Sequence, residues 1–134
     1  MNYILDTNVY SALMRGDNSV VKLIKQAELI YLTPIVIGEI LFGFRNGNKT
    51  ELNIEQFQKF LSSRFVKELK ITHQTADRYS RIATDLRLKG HPIPTNDIWI
   101  AAQTIESGGI LLSYDQLFTK VDGLIWNNLQ KTKN

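Results

Sequence analysis

The sequence predicts a three-layer α/β fold, in which a central, mainly parallel sheet of four to five strands is covered by helices on both faces. Three observations carry this. Short apolar runs alternate along the chain with longer stretches at helical spacing, the pattern of successive strand–helix–strand units. The strands read as compact apolar runs, which suits a sheet buried on both faces. A chain of 134 residues, 43% hydrophobic and 22% charged, has the composition of an ordinary globular domain and can bury a core without covalent staples. No internal repeat, low-complexity segment or linker divides it, so one domain is expected over residues 1–134.

The elements follow in order. Tyr3, Ile4 and Leu5 form a first strand that stops at Asp6, and Val9 to Met14 reads as a helix. Ser19 is placed to cap a helix over Val20 to Ala27, because its hydroxyl can accept from free N–H groups of the first turn. Leu29 to Leu32 is a second strand. Thr33-Pro34, a cap followed by Pro at the first helical position, opens the apolar helix IVIGEILFGF, which Asn46-Gly47-Asn48 ends. Asn53 and Gln56 have the spacing of a capping box for the segment IEQFQKFLSS, and Phe65 to Ile71 follows as a third strand. From Thr72 to Lys89, Ala76, Tyr79, Ile82, Ala83 and Leu86 recur at helical spacing, and Gly90 makes the stop. Pro92 and Pro94 stiffen a loop. A helix then runs from near Asp97 to Glu106, Gly108-Gly109 breaks it, Ile110 to Ser113 is a fourth strand, and Gly123 to Trp126 a fifth.

Several function classes drop out on composition. The chain has no Cys, which excludes disulfides, thiolate zinc sites and cysteine redox chemistry and fits a reducing cytosol. Asp6 interrupts what would be the apolar stretch of a signal peptide, and no basic residue precedes it, so no export signal is read and a cytoplasmic location is expected. No run approaches the roughly 18 apolar residues of a membrane span. His73 and His91 have no ligand spacing and read as surface residues.

The acids are more informative. In a parallel sheet, sites form beyond the carboxyl ends of the strands. Asp6 ends the first strand, Asp115 lies two residues past the fourth, and Asp97 opens the helix before that strand. Glu39 lies in the second turn of the helix after the second strand, flanked by Ile35, Val36, Ile37, Ile40, Leu41, Phe42 and Phe44. A helix so apolar is expected to be buried on nearly every side, which would shield Glu39 from water. Each Asp, taken singly, has an ordinary local use as a helix cap, a charge at a helix dipole or a turn initiator. Together, all four fall on one edge of the predicted sheet. Two carboxylates about 4 Å apart repel by roughly 4 kcal/mol at an effective dielectric of 20, so a shared cleft calls for cations. Oxygen ligands without Cys or clustered His favour Mg²⁺ or Mn²⁺ over Zn²⁺.

At these residues the sequence resembles a known family. LDTN (Leu5 to Asn8), GEI (Gly38 to Ile40), NDIWIAA (Asn96 to Ala102) and LLSYDQLF (Leu111 to Phe118) look like the four signature regions of PIN-domain proteins, and more closely of VapC toxins from toxin–antitoxin pairs. They occur in order along the whole chain. The resemblance implies a PIN-like fold and Mg²⁺-dependent endoribonuclease activity. By motif match, Asp6 and Asp97 are the principal metal ligands, with Glu39 and Asp115 completing the catalytic site directly or through water. Asn8 matches an expected hydrogen-bond partner for Asp6. Asn96 and Ser113 join it as candidate orienting or substrate-binding residues, Ser113 standing where Thr is frequent. Around Asp115 the chain lacks the basic or His neighbours often seen in the family.

The resemblance also implies a homodimer and a cognate VapB-type antitoxin that covers the site; any exposed part of Phe42, Phe44, Phe57 or Phe60 is the candidate contact. The segment PIPTNDIWIAA resembles members that cut initiator tRNA, so tRNA is the expected substrate. With the four site acids set aside, nine acidic residues remain against sixteen Lys and Arg, a surplus of seven that suits a polyanionic partner. Arg15 and the group Arg78, Arg81, Arg87 and Lys89 are candidate contacts, although a solvated helix face explains the latter group equally well. Two other readings compete. A haloacid-dehalogenase-like phosphatase would want a second Asp where this chain has Asn8. A non-catalytic RNA-binding module would keep the basic surface without the chemistry, and EDTA-sensitive cleavage separates it from a nuclease.

Overall fold

Tyr3, Ile4 and Leu5 are exposed by 2% or less, and the strand they belong to lies at the centre of the sheet. The structure, a computed structural model, describes residues 1–129. In chain order it contains β1 (Asn2–Leu5), α1 (Thr7–Met14), α2 (Asn18–Gln26), β2 (Leu29–Leu32), α3 (Pro34–Arg45), α4 (Thr50–Leu61), β3 (Val66–Glu68), α5 (His73–Lys89), α6 (Thr95–Ser107), β4 (Ile110–Ser113), a 3₁₀ turn (Gln116–Lys120) and β5 (Trp126–Asn128). The strand order is β3-β2-β1-β4-β5, and every pairing is parallel.

The chain travels outward from β1 through β2 to β3, then crosses to the other side of β1 for β4 and β5. Right-handed crossovers, which nearly all such connections adopt, put α1 to α4 on one face of the sheet and α5 with α6 on the other. The reversal of direction at β1 and β4 makes their carboxyl ends the switch point of the sheet, where α/β folds leave a crevice. At the opposite end Gly109 lets β4 start against β1. A Cβ there would lie 2.5 Å from Ile4 Cδ1 and 3.0 Å from the Asn2 carbonyl oxygen.

Packing accounts for the remaining apolar residues. Phe57 is fully buried under α3 and α1, with Phe44 at 6.1 Å and Tyr10 at 5.1 Å in edge-on geometry, and Phe60 meets Tyr10 at 5.3 Å. Edge-on ring pairs of this kind add about 0.5–1.5 kcal/mol to simple burial. Phe57 is therefore a core residue and not a partner contact. Of the four phenylalanines suggested for that role, Phe42 alone is strongly exposed, at 71%. Trp99 stacks on Tyr79 at 4.2 Å, joining α6 to α5. His73 and His91 are exposed, as expected.

Several local readings are corrected. Asp17, not Ser19, caps α2, its carboxylate accepting from Ser19 N at 3.0 Å and Val20 N at 3.3 Å. Asp17, Asn18 and Ser19 are all competent caps in a row, and the carboxylate wins. The expected capping box at Asn53 and Gln56 is absent, because α4 already begins at Thr50, whose hydroxyl donates to the Phe44 carbonyl at 2.8 Å. Strand β3 is limited to Val66–Glu68, and β5 lies slightly later than expected, at Trp126–Asn128. The cap at Thr33 and the Gly90 stop stand where the sequence puts them, and Thr72 proves to be the cap of α5.

Candidate active site

The β1–β4 ladder continues past Leu5. Asp6 N donates to the Leu112 carbonyl at 3.0 Å, so Asp6 emerges beside Ser113 at the carboxyl edge of both strands. Ser113 is buried, and its hydroxyl donates to Asp6 Oδ2 at 2.7 Å. The Ser113 hydroxyl oxygen in turn accepts from Asp115 N at 3.0 Å, which ties the turn carrying Asp115 to Asp6 through Ser113. Thr7 N donates to Asp6 Oδ1 at 2.9 Å, so Asp6 is also the cap of α1. Asp115 has a similar double use, accepting from Leu117 N at 2.9 Å to start the 3₁₀ turn. Local helix-starting roles and membership of the cleft coexist at these positions.

Glu39 comes in from α3. Its Oε1 accepts from the Thr7 hydroxyl at 2.8 Å, a bond between side chains 32 positions apart, and its Oε2 takes a longer 3.4 Å bond from Asn96 Nδ2. Asp97 stands in the first turn of α6, which begins two residues earlier, at Thr95. Its carboxylate accepts no hydrogen bond from any described residue, although the side chain is half-buried. Nor does any Lys or Arg pair with Asp6, Glu39, Asp97 or Asp115 among the described residues.

The electrostatic consequence is directional. Burial pushes the Asp97 carboxyl up to about 6, and the charges of Asp6, Asp115 and Glu39 push the same way. Burial also raises Asp6, against the lowering effect of its bonds from Ser113 and Thr7, while the charges of Glu39 and Asp115 raise it further. Four acids from β1, α3, α6 and the turn after β4 thus repel one another across one cleft. Groups with such perturbed titration gather at functional sites.

The donor chemistry is that of a hard cation: carboxylate oxygens with a hydroxyl and an amide nearby, and no sulfur or imidazole. Among the described residues, however, no three of these acids stand close enough to cage an ion by themselves. The four acids stand within electrostatic reach of one another. That arrangement fits Mg²⁺, which binds through one or two carboxylates and keeps several waters.

Two more expectations change. Asn8 does not bond Asp6; it is exposed on the first turn of α1, and Thr7 and Ser113 hold the carboxylate instead. Thr7 was missed in the sequence, where it stands only inside the LDTN motif, before the helix read from Val9. Glu39 is half-buried and not fully shielded, because the side of α3 carrying Gly38 and Phe42 is left uncovered. Within the basic group of α5, Arg81 pairs with Asp77 at 3.1 Å and Lys89 with Asp85 and Asp122 at 2.8 and 2.6 Å, so these two are spent on a solvated face. Arg15, Arg78 and Arg87 are exposed and form no ion pair with a described residue.

With this geometry in place, the comparisons with known proteins are specific. A family model described as PIN domain matches residues 3–124. A protein named ribonuclease VapC1 from Rickettsia felis is 32% identical, over 92% of this chain and 93% of its own. Another ribonuclease VapC1, from Haemophilus influenzae, is 26% identical over 98% of this chain and all of its own. Among solved structures, a chain of VapBC2 from Rickettsia felis, bound to a DNA fragment from its promoter, superposes with a TM-score of 0.83 at 26% identity, covering 95% of this chain and 98% of that one.

Proposed function

Because the chain belongs to the PIN-domain family, and within it to the VapC ribonucleases, we propose that it is a divalent-metal-dependent endoribonuclease and the toxin of a toxin–antitoxin pair. The single observation that carries the reading is the state of Asp97: half-buried, raised to about 6, among three other acids, with no Lys or Arg paired to any of them among the described residues. Asp6 and Asp97 hold the cation, Mg²⁺ in preference to Mn²⁺. Ser113 and Thr7 fix the orientation of Asp6, and Asn96 and Thr7 that of Glu39. A bound divalent ion would supply Lewis acidity, polarising water and offsetting charge on phosphate oxygens. Glu39 Oε2, which among the described residues takes only the long bond from Asn96, is the open acceptor for a proton of the attacking water, and Asp115 orients that water from the turn after β4. Asn8, exposed on the first turn of α1, contacts the substrate backbone in this reading.

The substrate in this reading is RNA, tRNA first. The surplus of Lys and Arg outside the cleft supports a polyanion, since Lys and Arg that neutralise phosphates supply most non-specific affinity. Similarity to a chain of a VapBC complex supports a VapB-type antitoxin as partner. Homodimerisation and a cytoplasmic location, with the whole chain as one domain, complete the proposal.

Single-turnover cleavage of tRNA in Mg²⁺ tests it. Cleavage that stops with EDTA and in the Asp6→Asn and Asp97→Asn variants is the expected result. Undiminished cleavage in both variants would remove the assignment.

A further inference from the structure

Beside the acids lies a cleft of about 540 Å³, walled by Pro34, Ile35, Gly38, Glu39 and Phe42 of α3 and by Asn96 at the start of α6. Its size falls within the roughly 300–1,000 Å³ of small-molecule sites. Three features give it a definite chemical character. Phe42 is 71% exposed, one helical turn on from Glu39, so a large flat apolar ring stands in water directly beside the acidic cluster. Gly38 leaves the helix backbone bare, and a Cβ built there would meet nothing within 4 Å, so a planar group can approach α3 closely. Asn96 supplies an amide with a donor and an acceptor at the rim, engaged among the described residues only by its 3.4 Å bond to Glu39.

An aromatic face, a bare backbone floor and an amide edge are what a nucleobase requires. Bases stack on aromatic side chains and are read along their hydrogen-bonding edges. We infer that this cleft holds the base next to the phosphodiester that is cut, stacked on Phe42 with its polar edge towards Asn96. The inference rests on the ribonuclease reading for the position of the phosphate, since Glu39 and Asn96 belong to the acid cluster and the cleft wall at once. Arg45, exposed one turn beyond Phe42 and without an ion pair to a described residue, continues the series with a cation for the following phosphate. Acid, ring and cation thus follow along α3 at intervals of about 4.5 Å of helix rise.

The test measures binding of the full chain, in the Asp6→Asn background that prevents cleavage, to two probes. One is a ten-nucleotide single-stranded RNA of mixed sequence, and the other is the same ribose-phosphate strand without bases. Intact RNA is expected to bind more tightly than the abasic strand. Phe42→Ala should weaken intact RNA by about 5- to 150-fold, the factor carried by one base–aromatic stack, and close the gap between the probes. Phe42→Trp should restore it. Gly38→Leu, which fills the cleft from a helical position with open space, should weaken intact RNA while leaving thermal unfolding no lower. Equal affinity for both probes, or Phe42→Ala binding that matches its parent, overturns the inference; so does a Phe42→Ala effect confined to self-association or antitoxin binding. Separate cleavage assays keep the two readings apart. Loss of cutting in Asp6→Asn with no Phe42 effect on binding retains the nuclease and removes the base site, whereas base-dependent binding without cutting does the reverse.

Discussion

Acids on the outer face of α5 and acids in the cleft at the end of β1 have opposite electrostatic fates. On α5, Asp77 and Asp85 each meet a cation within about one turn, at 3.1 and 2.8 Å, and Asp122 reaches Lys89 at 2.6 Å. These pairs are solvated, and exposed pairs of this kind contribute roughly 0.2–1 kcal/mol. In the cleft, four acids face one another, half-buried, and no Lys or Arg side chain pairs with them among the described residues. One region uses charge to keep a surface soluble. The other gathers charge that no Lys or Arg side chain among the described residues neutralises, a tension that protonation or a bound cation would relieve.

Substitutions in the two regions should therefore differ in kind as well as size. Asp97→Asn is expected to reduce Mg²⁺-dependent RNA cleavage by more than about 100-fold, since even outer partners of metal-binding groups cost about 10–100-fold. Rate measurements at saturating Mg²⁺ decide this. Ser113→Ala removes the 2.7 Å bond that holds Asp6 Oδ2, and cleavage should fall by about 10- to 100-fold while the sheet remains intact by circular dichroism.

A third contrast concerns stability without divalent ions. The folded Asp97 carboxyl titrates near 6 against an ordinary value of 3.8, so between those values the folded state holds more protons than the unfolded state. Stability then falls as pH rises through that window. Asp97→Asn should consequently raise Tm in EDTA, clearly at pH 7.5 and much less at pH 4. A loss of stability at pH 7.5 would show that the cleft charges are not in conflict. The smallest effect belongs to α5: Arg81→Ala should change stability by no more than about 0.5 kcal/mol and leave cleavage unaltered, measured by urea unfolding and the same RNA assay.

Much of this was legible in the chain because the fold repeats a simple rule. Apolar runs ending in Asp6 and Ser113 mark strand ends, and a parallel sheet puts strand ends of one kind on one edge, so the acids after β1 and β4 had to meet. What sequence could not supply was which side of α3 another element would cover. Counting apolar residues around Glu39 predicted a shielded carboxylate, yet the side bearing Gly38 and Phe42 is open. Thr7 was invisible for a different reason. Its bond to Glu39 spans 32 positions and depends on α1 packing on α3, and a threonine at a helix start announces nothing of the kind. Motif position points to Asn8, whereas geometry gives the bond to Thr7, whose N–H donates to Asp6.

The most direct test of the central claim is the titration of Asp97, followed by the ¹³C shift of its carboxyl carbon with and without Mg²⁺. In EDTA the midpoint should lie near 6, and saturating Mg²⁺ should carry it below the ordinary aspartate value of 3.8. A midpoint close to 3.8 in EDTA that Mg²⁺ leaves in place would mean that the cleft acids neither repel one another nor hold a cation.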